Sequence, residues 1–179
     1  MYGSFNGTSL IIIRHSKTDN TNICRPLSEE GVFLAKNLGL YLRNEKSFEF
    51  TDVFASGTER TSLTAQLVGG TPPTILSELD IPKGEIDLVL SLYAKYGDAP
   101  LQRYFSEGEK VKNLLLEYGR KAFNAIMKNR QGNCALVVGH GVLINAIAYV
   151  ASQGKADEIL DMKVEECEGF NLRYRCPCT

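Results

Sequence analysis

The sequence predicts a three-layer αβα sandwich built on a mainly parallel sheet with an antiparallel edge. Three observations carry this. Leu10-Ile11-Ile12-Ile13 and Cys134 to Val138 are apolar runs without alternation, as expected of strands buried on both faces. Stretches with helical spacing separate the strand candidates, so strand and helix alternate along the chain. The last segment, Lys163 to Glu166 followed by Gly169 to Arg175, has the pattern of a closing antiparallel hairpin.

The elements follow in order. The first strand ends at Arg14. Ser28, three residues before Gly31, opens a helix with apolar positions Val32, Leu34, Ala35, Leu38 and Leu42, and Glu29 and Glu30 suit its first turn. Asp52 to Ala55 reads as a second strand, and Thr58 to Val68 as a helix stopped by Gly69-Gly70. Thr74 to Leu76 is a short third strand; Pro82 and Gly84 interrupt the pattern before a helix from Glu85 to about Tyr96. Ser106 is the expected N-cap of a long helix reaching Asn129 through Val111, Leu114, Leu115, Tyr118, Ala122 and Ile126, with Gly119 a weak point inside it. After the strand at Cys134 come Gly139-His140-Gly141 and an apolar helix from Val142 to Ser152. The 179 residues suit one domain, with residues 80–108 as a small cap-like insertion.

Composition narrows the function classes. The 20 Lys and Arg nearly balance the 21 Asp and Glu, so no global field would hold the protein on nucleic acid or on an anionic membrane. The longest aliphatic run, Leu10 to Ile13, is too short to span a bilayer, and the first residues lack the pattern of a signal peptide, which makes a cytoplasmic protein the expectation. Cys24, Cys134, Cys167, Cys176 and Cys178 are scattered and odd in number, so reduced thiols are expected, and two distant histidines without well-spaced cysteines do not make a zinc site. The glycines and hydroxyls of Gly3 to Ser9 lack a lysine and precede the first strand, which excludes a nucleotide-binding phosphate loop.

Only two histidines occur, His15 and His140, and each directly follows a hydrophobic strand. Active sites in open α/β sheets form beyond the carboxyl ends of the strands, so both stand where chemistry is expected. Arg14 offers a bidentate guanidinium for phosphate or carboxylate. Arg60, one turn into the helix behind Ser56-Gly57-Thr58, can reach the same rim.

Four ordered segments resemble motifs of the histidine phosphatase, or phosphoglycerate mutase-like, superfamily. Arg14-His15-Ser16-Lys17-Thr18 stands where that family has Arg-His-Gly, an acidic or polar residue, and Thr or Ser. Pro26-Leu27-Ser28-Glu29-Glu30-Gly31 is similar to its helix start. Ser56-Gly57-Thr58-Glu59-Arg60-Thr61 with Thr64-Ala65 is similar to its Ser-x-x-x-Arg-Thr segment, and Val138-Gly139-His140-Gly141-Val142-Leu143-Ile144 to its Val-Ser-His-Gly segment. The resemblance implies in-line attack by neutral His15 on phosphorus and a phosphohistidine that water hydrolyses. Arg14, Arg60, Thr18 and a protonated His140 would hold the phosphoryl oxygens, with neither metal nor cofactor.

The family's leaving-group acid lies on the loop after the third strand, which here means Glu78 or Asp80. Leu76-Ser77-Glu78 matches the family's Leu-x-Glu, and Glu78 has the longer reach, whereas Asp80 fits the later spacing to Gly84. Departures from the family pattern are Ser16 for Gly, Lys17 for an acidic residue, Thr21 between Asn20 and Asn22 for the expected asparagine, and Gly139 for Ser. Lys17 is read as a solvated loop lysine.

A mutase would need longer closing segments, so a phosphatase acting on a phosphorylated small molecule or phosphoprotein is preferred. Mutase-type transfer and a non-catalytic phosphate-binding protein of the same fold remain the alternatives. Tyr93, Tyr96, Arg103 and Tyr104 are the substrate contacts expected from the cap-like segment. Neither the individual substrate nor the oligomeric state is legible.

Overall fold

The computed structural model describes residues 7–19 and 26–175. Thr21 with Asn20 and Asn22, Cys24, and the Cys176 and Cys178 pair lie outside the described residues. Five strands, β1 (Gly7–Arg14), β2 (Asp52–Ala55), β3 (Thr74–Ile75), β4 (Cys134–Gly139) and β5 (Gly169–Arg175), form one sheet in the order β3-β2-β4-β1-β5. All neighbours are parallel except β1 and β5, which makes β5 the antiparallel edge.

Burial on both faces explains why β1 and β4 lack alternation. Leu10, Ile12, Ala135 and Val137 pack on one side against α5 (Glu109–Asn129) and α6 (Gly141–Ala151). Ile11, Ile13, Leu136 and Val138 pack on the other side, in a core shared with α1 (Glu29–Asn44) and α2 (Glu59–Gly69). Among the described residues no helix is long and apolar enough to cross a membrane.

The helix signals act as expected at α1, where the Ser28 hydroxyl accepts the Gly31 amide at 2.9 Å. A Cβ on Gly31 would stand 2.0 Å from the Lys17 carbonyl oxygen, so only glycine lets the helix start lie against the loop after β1. Gly119 is a crossing point instead of a weak point. Its missing Cβ would fall 2.5 Å from the Ala146 carbonyl oxygen, and α5 and α6 touch there along their backbones.

Two expected elements are corrected. Ser106 does not cap α5, because it closes a short helix, α4 (Leu101–Phe105), with its amide on Gln102 O and its hydroxyl on Arg103 O; α5 starts after Gly108 at φ 111°. Lys163 to Glu166 is not the first strand of a hairpin. It follows a one-turn helix, α7 (Glu158–Asp161), and leads into a tight turn with Cys167 at φ 62°, so β5 takes β1 as its partner. The segment 80–108 holds a 3-10 turn at Lys83–Glu85, α3 (Ile86–Tyr96) and α4.

Candidate active site

The register of the sheet brings the two histidines together. Arg14 at the end of β1 pairs with Gly139 at the end of β4, and the His15 amide donates to the Gly139 carbonyl at 3.0 Å. The next residues, His15 and His140, therefore leave adjacent strand ends, with ring centroids 5.3 Å apart and edge to face. The neighbouring strand β2 ends at Ala55, and its successor Ser56 reaches the same point. A cavity of about 440 Å³ opens above these ends, lined by Arg14, His15, Thr18, Arg60 and His140 on its sheet side. Ile81, Val89, Leu90, Tyr93 and Asp98 of the segment 80–108 form another wall.

His15 is 7% exposed, and its Nδ1 lies 2.8 Å from the Ser16 carbonyl oxygen. A carbonyl only accepts, so Nδ1 carries the proton and the Nε2 lone pair is left unprotonated. Burial lowers the pKa from 6.5 to about 4; the Ser16 contact opposes that shift and the Arg60 and Arg14 charges add to it. The imidazole is thus neutral at pH 7.

This shift carries a stability consequence. Between pH 6.5 and about 4 the unfolded chain binds a proton at His15 that the folded chain does not. Stability is present above pH 6.5 and falls as the pH drops through this window, by roughly 3 kcal/mol for this group. Urea midpoints at pH 7 and pH 4.5 test it: the drop should shrink in His15→Asn, and an unchanged drop would contradict the assignment.

In the free site His140 is held toward its neutral form as well, whereas the resemblance implies an imidazolium around a bound phosphoryl group. Arg60 Nη2 donates to its Nδ1 at 3.2 Å, so that nitrogen is an acceptor, and Nε2 lies 2.9 Å from Ser56 Oγ. Burial first, then the neighbouring His15, Arg60 and Arg14, hold its pKa well below the ordinary value. Ser56, quoted in the sequence only as part of a motif, is the residue that orients His140; its hydroxyl also contacts Thr61 at 2.8 Å.

Arg14 is 4% exposed and is held by three oxygens. Its Nη1 meets the Val164 carbonyl at 3.1 Å and Asp98 Oδ1 at 2.9 Å, and Nη2 meets Glu166 Oε1 at 3.5 Å. Its buried Nε has no hydrogen-bond partner, a donor left over for an anion. Asp98 and Glu166 escaped the sequence reading. Asp98 lies in the turn between Gly97 and Pro100, and Glu166 in an acidic run taken for a strand. Asp98 is also bound by the Tyr93 hydroxyl at 2.8 Å. Of the four cap-segment contacts expected, only Tyr93 lines the cavity. Tyr96 bonds Glu107 and lies under Arg103, and Tyr104 donates to the Gly97 carbonyl from the core.

Glu78 does not line the cavity. The 3-10 turn Ser77–Leu79 buries Leu79 completely, which turns Glu78 outward into a separate concavity with Glu117, Tyr118 and Lys121 of α5. Asp80 lines that concavity as well, and its Oδ1 accepts the Gly57 amide at 2.8 Å. Neither of these two candidates for the leaving-group acid lines the cavity that holds His15. Lys17 is exposed and paired with Glu30 at 2.6 Å. Ser16 fits in place of glycine because its hydroxyl donates to the Gly31 carbonyl at 2.7 Å. Among the described residues no three His, Cys, Asp or Glu side chains converge to hold a metal ion.

A sequence model of the histidine phosphatase superfamily (branch 1) matches residues 10–175. No curated protein sequence matches the chain. Solved structures share its fold. Phosphoglycerate mutase from Bacillus anthracis str. Sterne is 22% identical with a TM-score of 0.65, over 95% of this chain and 89% of that one. Phosphoserine phosphatase from Entamoeba histolytica, in complex with 3-phosphoglyceric acid, is 15% identical with a TM-score of 0.62, over 93% and 94%. Alpha-ribazole phosphatase from Shigella flexneri is 17% identical with a TM-score of 0.57, over 89% and 87%.

Proposed function

The chain belongs to the histidine phosphatase superfamily, and on that premise we propose that it hydrolyses a phosphomonoester or phosphohistidine substrate through a phosphohistidine on His15. One observation carries this reading: the His15 ring keeps its Nε2 lone pair while Nδ1–H is held by Ser16, at the base of a cavity that also presents two arginines. Neutral imidazole attacks phosphorus in line. Arg14 and Arg60 face the equatorial oxygens, where charge gathers in the transition state, and Thr18 adds a hydroxyl at the cavity wall. His140 enters as a neutral ring, oriented between Ser56 and Arg60, and it can donate to an oxygen or take up a proton once a phosphate dianion lies beside it.

The segment 80–108 serves as the cap. Ile81, Val89, Leu90 and Tyr93 give the leaving-group side an apolar wall, which suits the organic part of a phosphorylated small molecule or a phosphorylated side chain. No step in this scheme uses a metal.

The expected result is turnover of 4-nitrophenyl phosphate between pH 4 and 8 that is unchanged, within about twofold, by a chelator; a barrier lowered only by protein charges and a side-chain nucleophile predicts no dependence on divalent ions. Absence of turnover on this probe, on phosphohistidine and on sugar phosphates would leave the non-catalytic phosphate-binding alternative. Activity that the chelator abolishes would contradict the mechanism.

A further inference from the structure

The reading of the site as a phosphatase leaves one chemical role open, since an alkoxide leaving group needs a proton and neither Glu78 nor Asp80 lines the cavity. We propose that Asp98 is the general acid, delivered from the cap segment to the leaving oxygen.

Position supports it first. His15 and the wall that the segment 80–108 supplies line one cavity, and the proposed path of a leaving group in line with Nε2 runs toward that wall. Among the described residues Asp98 is the one carboxylate on that wall. It stands close over the start of α6, where a Cβ on Gly141 would be 3.9 Å from its Oδ1. The Tyr93 hydroxyl fixes the same oxygen at 2.8 Å, and Tyr93 itself belongs to the wall.

Charge supports it second. The free cavity is lined by Arg14 and Arg60 and by the carboxylates Asp98, Glu166 and Asp19, and Asp98 and Glu166 pair with Arg14. A phosphate dianion that takes over Arg14 removes the cation from Asp98 and places two negative charges beside it. Both changes favour the protonated carboxylic acid. Tyr93, Tyr104, His15, Glu166, Asp19 and Lys163 are the other titratable groups around this site. Asp98 thus acts as a counterion to Arg14 before binding and as a proton donor after it.

The step balances. As the His15 Nε2–phosphorus bond forms, the bond from phosphorus to the leaving oxygen breaks, and the Asp98 proton passes to that oxygen to give the free alcohol. In the second half Asp98 carboxylate takes a proton from the water that attacks phosphorus, and the electron pair of the breaking P–N bond returns to His15. Inorganic phosphate leaves, and the proton taken up by Asp98 passes to solvent as its carboxylate pairs with Arg14 again.

Leaving-group dependence tests the assignment, with 4-nitrophenyl phosphate and an unactivated alkyl phosphate as probes. Nitrophenolate departs without a proton, whereas an alkoxide does not. In kcat/KM, which reports the phosphorylation half alone, Asp98→Asn should therefore stay within about threefold on the nitrophenyl ester and lose on the order of 100-fold on the alkyl ester. Asp98→Ala should show the same ratio, which guards against a disturbance of Arg14 by the amide. An equal loss on both esters would reduce Asp98 to a support for Arg14 and overturn the proposal, as would no loss on either. A selective loss in Glu166→Gln or Asp19→Asn, with none in Asp98→Asn, would move the role to another cavity carboxylate. Wild-type protein that turns over neither ester, and neither phosphohistidine nor sugar phosphates, would instead refute the phosphatase reading, and this assignment with it.

Discussion

His15→Ala is expected to lower kcat/KM on 4-nitrophenyl phosphate by on the order of 10⁴-fold or more, because removing a covalent nucleophile leaves only the binding and electrostatic parts of the site. The replacement should fold. The His15 ring meets the Ser16 carbonyl, an oxygen of its own loop, and the His140 ring, while the strand pairing of Arg14 with Gly139 uses backbone alone. Substrate binding should survive better than turnover, since Arg14 and Arg60 remain. Steady-state kinetics with an inorganic phosphate inhibition constant for each protein separates the two effects. A variant that keeps a tenth of the wild-type rate would remove His15 from the chemistry.

Arg14→Ala should cost about 10³-fold in kcat/KM, the scale seen when a positioned cation is withdrawn from a developing phosphoryl charge. Its effect on stability should be small by comparison. Loss of the guanidinium releases the Asp98 and Glu166 carboxylates, whose side chains are 25% and 34% exposed and can turn to water, so no charge is stranded in the core. Arg14→Lys should recover little of the activity, because an ammonium lacks the fork that spans two oxygens. Parallel measurement of kcat/KM and urea midpoints checks both statements. A large stability loss with near-normal specific activity would make Arg14 a structural residue.

Much of the sheet was legible because its signals are local and strong. The unalternating runs at Leu10 and Cys134 are buried on both faces, and the two histidines and Arg14 sit at strand ends that hydrophobic patterning alone can place. What patterning could not give was the partner of β5, since nothing local says whether Gly169 to Arg175 folds back on Lys163 or crosses to β1. The outward turn of Glu78 was hidden for a related reason. Whether Glu78 or Leu79 turns inward depends on a 3-10 turn whose direction is decided by packing of Leu79 into the core. Asp98 and Glu166 were missed because a carboxylate in a turn looks the same in sequence whether it faces water or an arginine. Their contact with Arg14 joins positions more than eighty residues apart in the chain. The hydrogen bonding of His140 is another tertiary property, since nothing local says that Arg60 donates to its Nδ1.

The central claim is that phosphate passes through His15, and the most direct measurement is to mix the protein with a phosphate ester, quench within milliseconds under alkaline conditions, and map the added phosphate by mass spectrometry. The account predicts a base-stable, acid-labile phosphate on the peptide carrying His15, formed before steady state and absent from His15→Ala. Full turnover with no such adduct, or an adduct on another residue that persists in His15→Ala, would contradict it.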